Sequence, residues 1–174
     1  MLRWAVFGVF GVMGCAGGGG GGGESDKTIG MCDVAALDGD AASATVEGGD
    51  WTTETGQWMT TGGGIQIVLD TGGPWGMTLV GTTTEDGDDV ADALADDLAP
   101  FRVPFSDGLG SASIREDLGN GLEAFATNQP GGDGEMWIDA FDGTALTVCF
   151  AFTATNTDGL MRSVASGVAH VDGS

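Results

Sequence analysis

The chain has 174 residues, 26 of them acidic against 5 Lys and Arg, giving a formal net charge of −21 at pH 7. Such a charge repels nucleic-acid phosphates and anionic headgroups, which argues against DNA, RNA or peripheral lipid binding and leaves cationic partners, divalent ions or solubility as its uses. With 41% hydrophobic residues in patterned positions the acidity does not mean disorder, and the length suits a single folded domain.

The N-terminus carries a positive Arg3 and then an almost unbroken apolar run from Trp4 to Met13. That run is shorter than the roughly 20 residues needed to cross a bilayer, and Gly8, Gly11 and Gly14 weaken it as a helix. With small Gly14 before Cys15 it reads as a secretory signal. The tetrapeptide Val12-Met13-Gly14-Cys15 resembles the bacterial lipobox. The resemblance implies that residues 1–14 are removed and that Cys15 carries acyl chains as the mature N-terminus. Two chains already give stable attachment, at about 0.8 kcal/mol per buried methylene. Ala16 stands where an aspartate would favour inner-membrane retention, so the expected address is the outer membrane, with the domain facing the periplasm or the cell surface.

Gly17 to Gly23 follow without a break. No strand precedes them and no Lys-Ser/Thr follows, so they read as a spacer and not as a phosphate loop. A glycine-rich coil over residues 15–28 holds the folded domain, 29–174, on the order of 20 Å from the bilayer. Once Cys15 is lipidated, Cys32 and Cys149 are the remaining thiols, and in an oxidising compartment they are expected to form a disulfide. The rival, a metal held by two thiolates, lacks a histidine or third thiol nearby in sequence.

After an irregular lead-in over 24–40, short strand-like runs alternate with Gly, Asp and Asn turns. Ala42 to Glu47 is the first, closing at Gly48-Gly49; Trp51 to Thr60 is a strand pair or irregular strand. Gly64 to Asp70 places Ile65, Ile67 and Leu69 on one face, and Met77 to Thr83 follows the turn Thr71-Gly72-Gly73-Pro74. Ser111 to Glu116 and Leu122 to Thr127 flank Leu118-Gly119-Asn120-Gly121, an Asn-Gly hairpin signal. Met136 to Phe141, Thr144 to Thr155 and Leu160 to Val171 complete the series. In the second of these, Leu146, Val148, Phe150 and Phe152 share a face. Period-two patterning predicts an antiparallel β-sandwich or flattened barrel of about 8–9 strands. One segment breaks the pattern: over 86–99, Val90, Leu94 and Leu98 recur at helical spacing, predicting an amphipathic helix of about three turns stopped by Pro100 and capping an open end of the sandwich.

The stretch Ala44-Thr45-Val46-Glu47-Gly48-Gly49-Asp50-Trp51 and the final hairpin from Trp137 to Val171 resemble uncharacterised lipid-anchored lipoprotein domains. The shared residues are structural, so the resemblance implies a fold and an envelope location but carries over no catalytic residues.

Chemistry is sparse. His170 is the sole histidine, and no Gly-x-Ser-x-Gly elbow accompanies it, so hydrolase triads and zinc enzymes lack their parts. Glu85-Asp86-Gly87-Asp88-Asp89, with Asp86, Asp88 and Asp89 as ligands, and Asp38-Gly39-Asp40 offer oxygens to Ca²⁺, though without EF-hand spacing. Trp51, Trp58, Trp75 and Trp137 invite a sugar-stacking platform, with Trp58 and Trp75 the candidates beside glycine-rich turns, against the ordinary use of tryptophan as core filling. Aspartate outnumbers glutamate and Lys27 is the one lysine, a bias like that of proteins from salty surroundings. The expectation is a monomeric, non-catalytic envelope lipoprotein, structural or a surface interaction module with a protein or glycan partner. The alternatives are a carbohydrate- or Ca²⁺-binding module and a carboxylate-dependent hydrolase.

Overall fold

A computed structural model describes residues 32–70, 75–106, 108–117, 119 and 121–174. The expectations for the signal, Cys15, the glycine tether, the Thr71-Gly72-Gly73-Pro74 turn, Leu118 and Asn120 lie outside these residues. The fold is mainly β, with eleven strands. They are β1 (Ala42–Val46), β2 (Gly49–Thr53), β3 (Gly56–Thr61), β4 (Gly64–Asp70), β5 (Trp75–Gly81), β6 (Phe101–Pro104), β7 (Gly110–Asp117), β8 (Leu122–Ala126), β9 (Asp133–Phe141), β10 (Ala145–Thr155) and β11 (Met161–Gly173). One helix, α1 (Val90–Ala95), lies between β5 and β6.

Strand order is β2-β1-β11-β3-β4-β5-β7-β8-β10-β9-β6, and β10 also pairs with β11. Two layers result. One runs β6-β9-β10-β11-β1-β2 and the other β3-β4-β5-β7-β8. They join at two narrow seams: a parallel contact of Asp172 and Gly173 with Gln57 and Trp58, and the pair Thr155–Ala126. The sheet therefore closes on itself as a flattened barrel, with all other pairings antiparallel. The expected inward faces meet inside: Ile65, Ile67 and Leu69 from β4 join Leu146, Val148, Phe150 and Phe152 from β10 in one buried cluster.

The strand count exceeds the expected 8–9 for a local reason. Residues 51–60 divide at Glu54-Thr55 into β2 and β3, and β6 adds a strand beyond the expected runs. Both β2 and β6 are edge strands with a partner on one side only. Edge strands are short and carry weak patterns, and Pro104 in β6 argues against a strand by itself.

The helix is also shorter than the 86–99 expected. Residues 84–88 form a turn in which Gly87 N–H donates to the Thr84 carbonyl and Asp88 N–H donates to Thr84 Oγ1. Thr83 bridges to Asp89, so the chain is still strand-like there. At the far end Leu98 N–H reaches the Ala93 carbonyl and Asp97 N–H the Leu94 carbonyl, with Asp97 at φ 56°. Those two bonds are the helix-ending Schellman pattern, with aspartate in the left-handed position usually given to glycine. Val90, Ala93 and Leu94 are buried, and Ala91 N–H donates to Gly63 O in the β3–β4 turn, so α1 does cover one end of the barrel.

The lead-in is fastened to the outer face of the layer that holds β10 and β11. Cys32 is bonded to Cys149 in β10 across 117 residues, with Cα atoms 5.3 Å apart. Leu37 and Val168 pack around the bridge, and Cys32 N–H donates to Asp139 Oδ2 at 3.4 Å. Val168 points outward because β11 carries a bulge: Phe150 opposes Gly167 while Phe152 opposes Val164, leaving Ala165 and Ser166 against Ala151. The Phe150 ring lies flat on Gly167, where any Cβ would collide with it. Gly167→Ala is accordingly expected to cost about 1–3 kcal/mol through overpacking, read as a lower urea midpoint with an unchanged slope.

Candidate functional site

The tryptophans separate by strand face. Trp58 sits opposite Ile67 across the β3–β4 hairpin, and directly opposed residues share a face. It is therefore inward, 9% exposed, with its Nε1–H donating to the Thr144 carbonyl at 3.0 Å and its ring edge-on to Phe141 at 5.3 Å. This corrects the pairing of Trp58 with Trp75 as a stacking platform: Trp58 is core. Trp137 is half-buried on β9, donating to Glu135 Oε1 at 3.3 Å.

Trp75 has a different companion. The two-residue turn Glu47-Gly48, with φ of 50° and 79°, folds β2 tightly back on β1 and carries Trp51 to the far end of the barrel from α1. There Trp51 and Trp75 border an open cleft of about 470 Å³. Val46, Glu47, Gly49 and Asp50 come from the β1–β2 hairpin, Glu116 from β7 and Arg162 from β11. Trp75 is held in register by its pairing with Glu116. Both indoles are half-buried and rest against the core, while Glu47 and Asp50 are exposed.

Arg162 organises the floor. Its Nε donates to Glu116 Oε2 at 2.9 Å and its Nη2 lies 2.9 Å from the same oxygen, with side chains only 21% and 12% exposed. The guanidinium sits 4.7 Å over the centre of the Phe125 ring. Both attractions hold it in place, so Glu116 is neutralised by a fixed partner. On the rim, Ser163 N–H donates to Glu47 Oε1 at 2.5 Å. Trp51 Nε1 is buried and has no hydrogen-bond partner among the described residues.

A second cleft of about 440 Å³ lies at the α1 end, lined by Thr82, Ser106, Ser111, Thr127 and several glycines. Its two threonine hydroxyls are already engaged: Thr82 Oγ1 donates to the Leu109 carbonyl and Thr127 Oγ1 accepts from Ala112 N–H. It offers neither charge nor an indole.

The proposed calcium ligands do not converge. Among the described residues no three carboxylate, thiol or imidazole groups gather as a metal site. Glu85 is taken by Arg102 at 3.0 Å, and Asp86 and Asp88 are exposed on a turn. Asp89 precedes α1 without capping it through its side chain. Asp38 ends the 3₁₀ turn Val34–Leu37 in a left-handed conformation.

His170 faces outward and its Nδ1 is 2.9 Å from Thr147 Oγ1. Nearby, Asp142 caps the β9–β10 turn. Its carboxylate accepts from Ala145 and Thr144 N–H and the Thr144 hydroxyl, which with a smaller pull from His170 hold its pKa down at about 2. Because the folded value lies below the unfolded one near 3.9, Asp142 stabilises the fold above about pH 4, and that contribution disappears as pH falls towards 2. Asp142→Asn keeps the acceptor oxygen but not the charge. It is expected to flatten the loss of thermal stability between about pH 4 and pH 2 relative to wild type.

Comparison with protein families, curated proteins and solved structures finds no match.

Proposed function

We propose that the protein is a lipoprotein of the bacterial cell envelope. Acyl chains on Cys15 fasten it to the outer membrane, and a glycine tether carries a non-catalytic β-sandwich that works as an interaction module through the Trp51–Trp75 cleft. The observation that carries this reading is the placement of that cleft. Cys32, the first described residue, lies beside Val168 on β11, whereas the cleft forms around Arg162 at the start of the same strand. With the bulge counted as one step, the span equals that from Cys149 to Ala154 on β10, about 17 Å at a strand's rise of roughly 3.3 Å per residue. An anchored domain of this shape presents the cleft away from its leash.

The chemistry of the cleft favours contact over catalysis. Its least exposed carboxylate, Glu116, is ion-paired, the condition of a structural group and not of a poised acid or base. The anchor is tested by growing cells with an alkyne fatty acid and following the protein on gels. Label on wild type and none on Cys15→Ser supports the reading; label persisting on Cys15→Ser, or absent from both, overturns it.

A further inference from the structure

Taking the cleft as the interaction site, we infer that it binds a compact organic cation, an alkylammonium or guanidinium group seated between Trp51 and Trp75. An indole face attracts a cation through the ring's quadrupole, more strongly than phenylalanine or tyrosine does. Two such rings border the cleft, and the rim beside them is negative. The Asp50 carboxylate is exposed and makes no ion pair or side-chain hydrogen bond among the described residues. Glu47 uses Oε1 on Ser163 and leaves its second oxygen for the rim.

The one cation in the lining, Arg162, is spent on Glu116 and Phe125. An anionic ligand would therefore meet Asp50 and Glu47 with no free positive group to offset them. A neutral sugar needs donors as well as acceptors along its edge. The lining's side-chain donors are few: Arg162, which is committed to Glu116 and the Met161 carbonyl, Trp51 Nε1, which is buried, and the Trp75 indole N–H. What remains on offer is aromatic surface and negative charge.

Size and field agree with that ligand. A cleft of about 470 Å³ falls within the roughly 300–1,000 Å³ range of small-ligand sites. The other described arginines are also paired, Arg102 with Glu85 and Glu135 and Arg115 with Asp70. The net charge of −21 is thus left to concentrate cations near the surface.

The test uses the full chain in non-ionic detergent, titrated with choline, methylguanidinium and the acetyl-amides of lysine and arginine at constant ionic strength. Tryptophan fluorescence is the readout, with sodium as the control cation. A saturable change specific to the organic cations is expected. Asp50→Asn should weaken it about threefold, with the difference fading in high salt, and Trp75→Ala should weaken it about tenfold. Asp50 is exposed and unpartnered, so its variant keeps the test valid if Trp75→Ala fails to fold. Tighter binding of the arginine or lysine derivatives identifies a protein side chain as the source; tighter binding of choline identifies a quaternary ammonium. Both support the inference. Binding of cello-oligosaccharides with no response to cations overturns it while leaving the cleft as an interaction site. Silence towards both classes overturns the cleft reading as well, without touching the Cys15 anchor, which the fatty-acid label decides separately.

Discussion

Replacing Cys32 and Cys149 together by serine is expected to lower the free energy of unfolding by about 4–5 kcal/mol. The bridge closes a 117-residue loop, and in the chain-entropy account a loop of that length takes this much from the unfolded state's freedom. Domains are commonly stable by only about 5–15 kcal/mol, so the loss would be roughly a quarter or more of the total. Noncovalent contacts cannot make it good. Among the described residues, Leu37 and Val168 form the buried cluster around the bridge, together with the Cys32 N–H bond to Asp139. Denaturant unfolding followed by tryptophan fluorescence should show a much lower midpoint for the double variant, reproduced in wild type by adding reductant. Identical midpoints with and without reductant would show that the lead-in contributes nothing through its cross-link.

Phe125→Ala should cost about 3–5 kcal/mol and also disturb the cleft. The ring is fully buried, opposite Ile114 across the β7–β8 pair, and truncation leaves a cavity in a close-packed interior. It also removes the surface on which the Arg162 guanidinium rests 4.7 Å from the ring centre. Arg162 then holds Glu116 less firmly, so two distinct losses are expected: a lower melting temperature, and weaker cation binding at temperatures where the variant is still folded. Phe125→Leu, which keeps more of the volume but no ring, should recover part of the stability without restoring the binding. Equal recovery of both properties would mean that Arg162 depends on packing alone and not on the aromatic face.

These two sites differ in how far the sequence reveals them. Cys32 and Cys149 can be paired from compartment and count, because few thiols are available and their chemistry in an oxidising setting is narrow. The inward faces of β4 and β10 are likewise readable, since strict alternation of large apolar residues has one interpretation on a pleated strand. Trp58 could have been placed as well. The Gly62-Gly63 turn sets it against Ile67, and a residue opposite a core isoleucine is itself core. By contrast, the cleft joins β1, β2, β5, β7 and β11, and no local pattern ties Glu116 to Arg162 or brings Trp51 to Trp75. Periodicity over 86–99 reports the apolar face of α1 but not the Schellman closure at Asp97, which depends on an aspartate accepting a left-handed backbone. Edge strand β6 alternates over four residues and ends in proline, which is too short a run to identify a strand from sequence.

The proposed anchor is decided most directly by the state of the N-terminus in cells. Mass spectrometry of protein extracted from cell membranes should find its first residue to be Cys15, bearing acyl chains. A chain still beginning at Met1, or a Cys15 terminus without lipid, would contradict it.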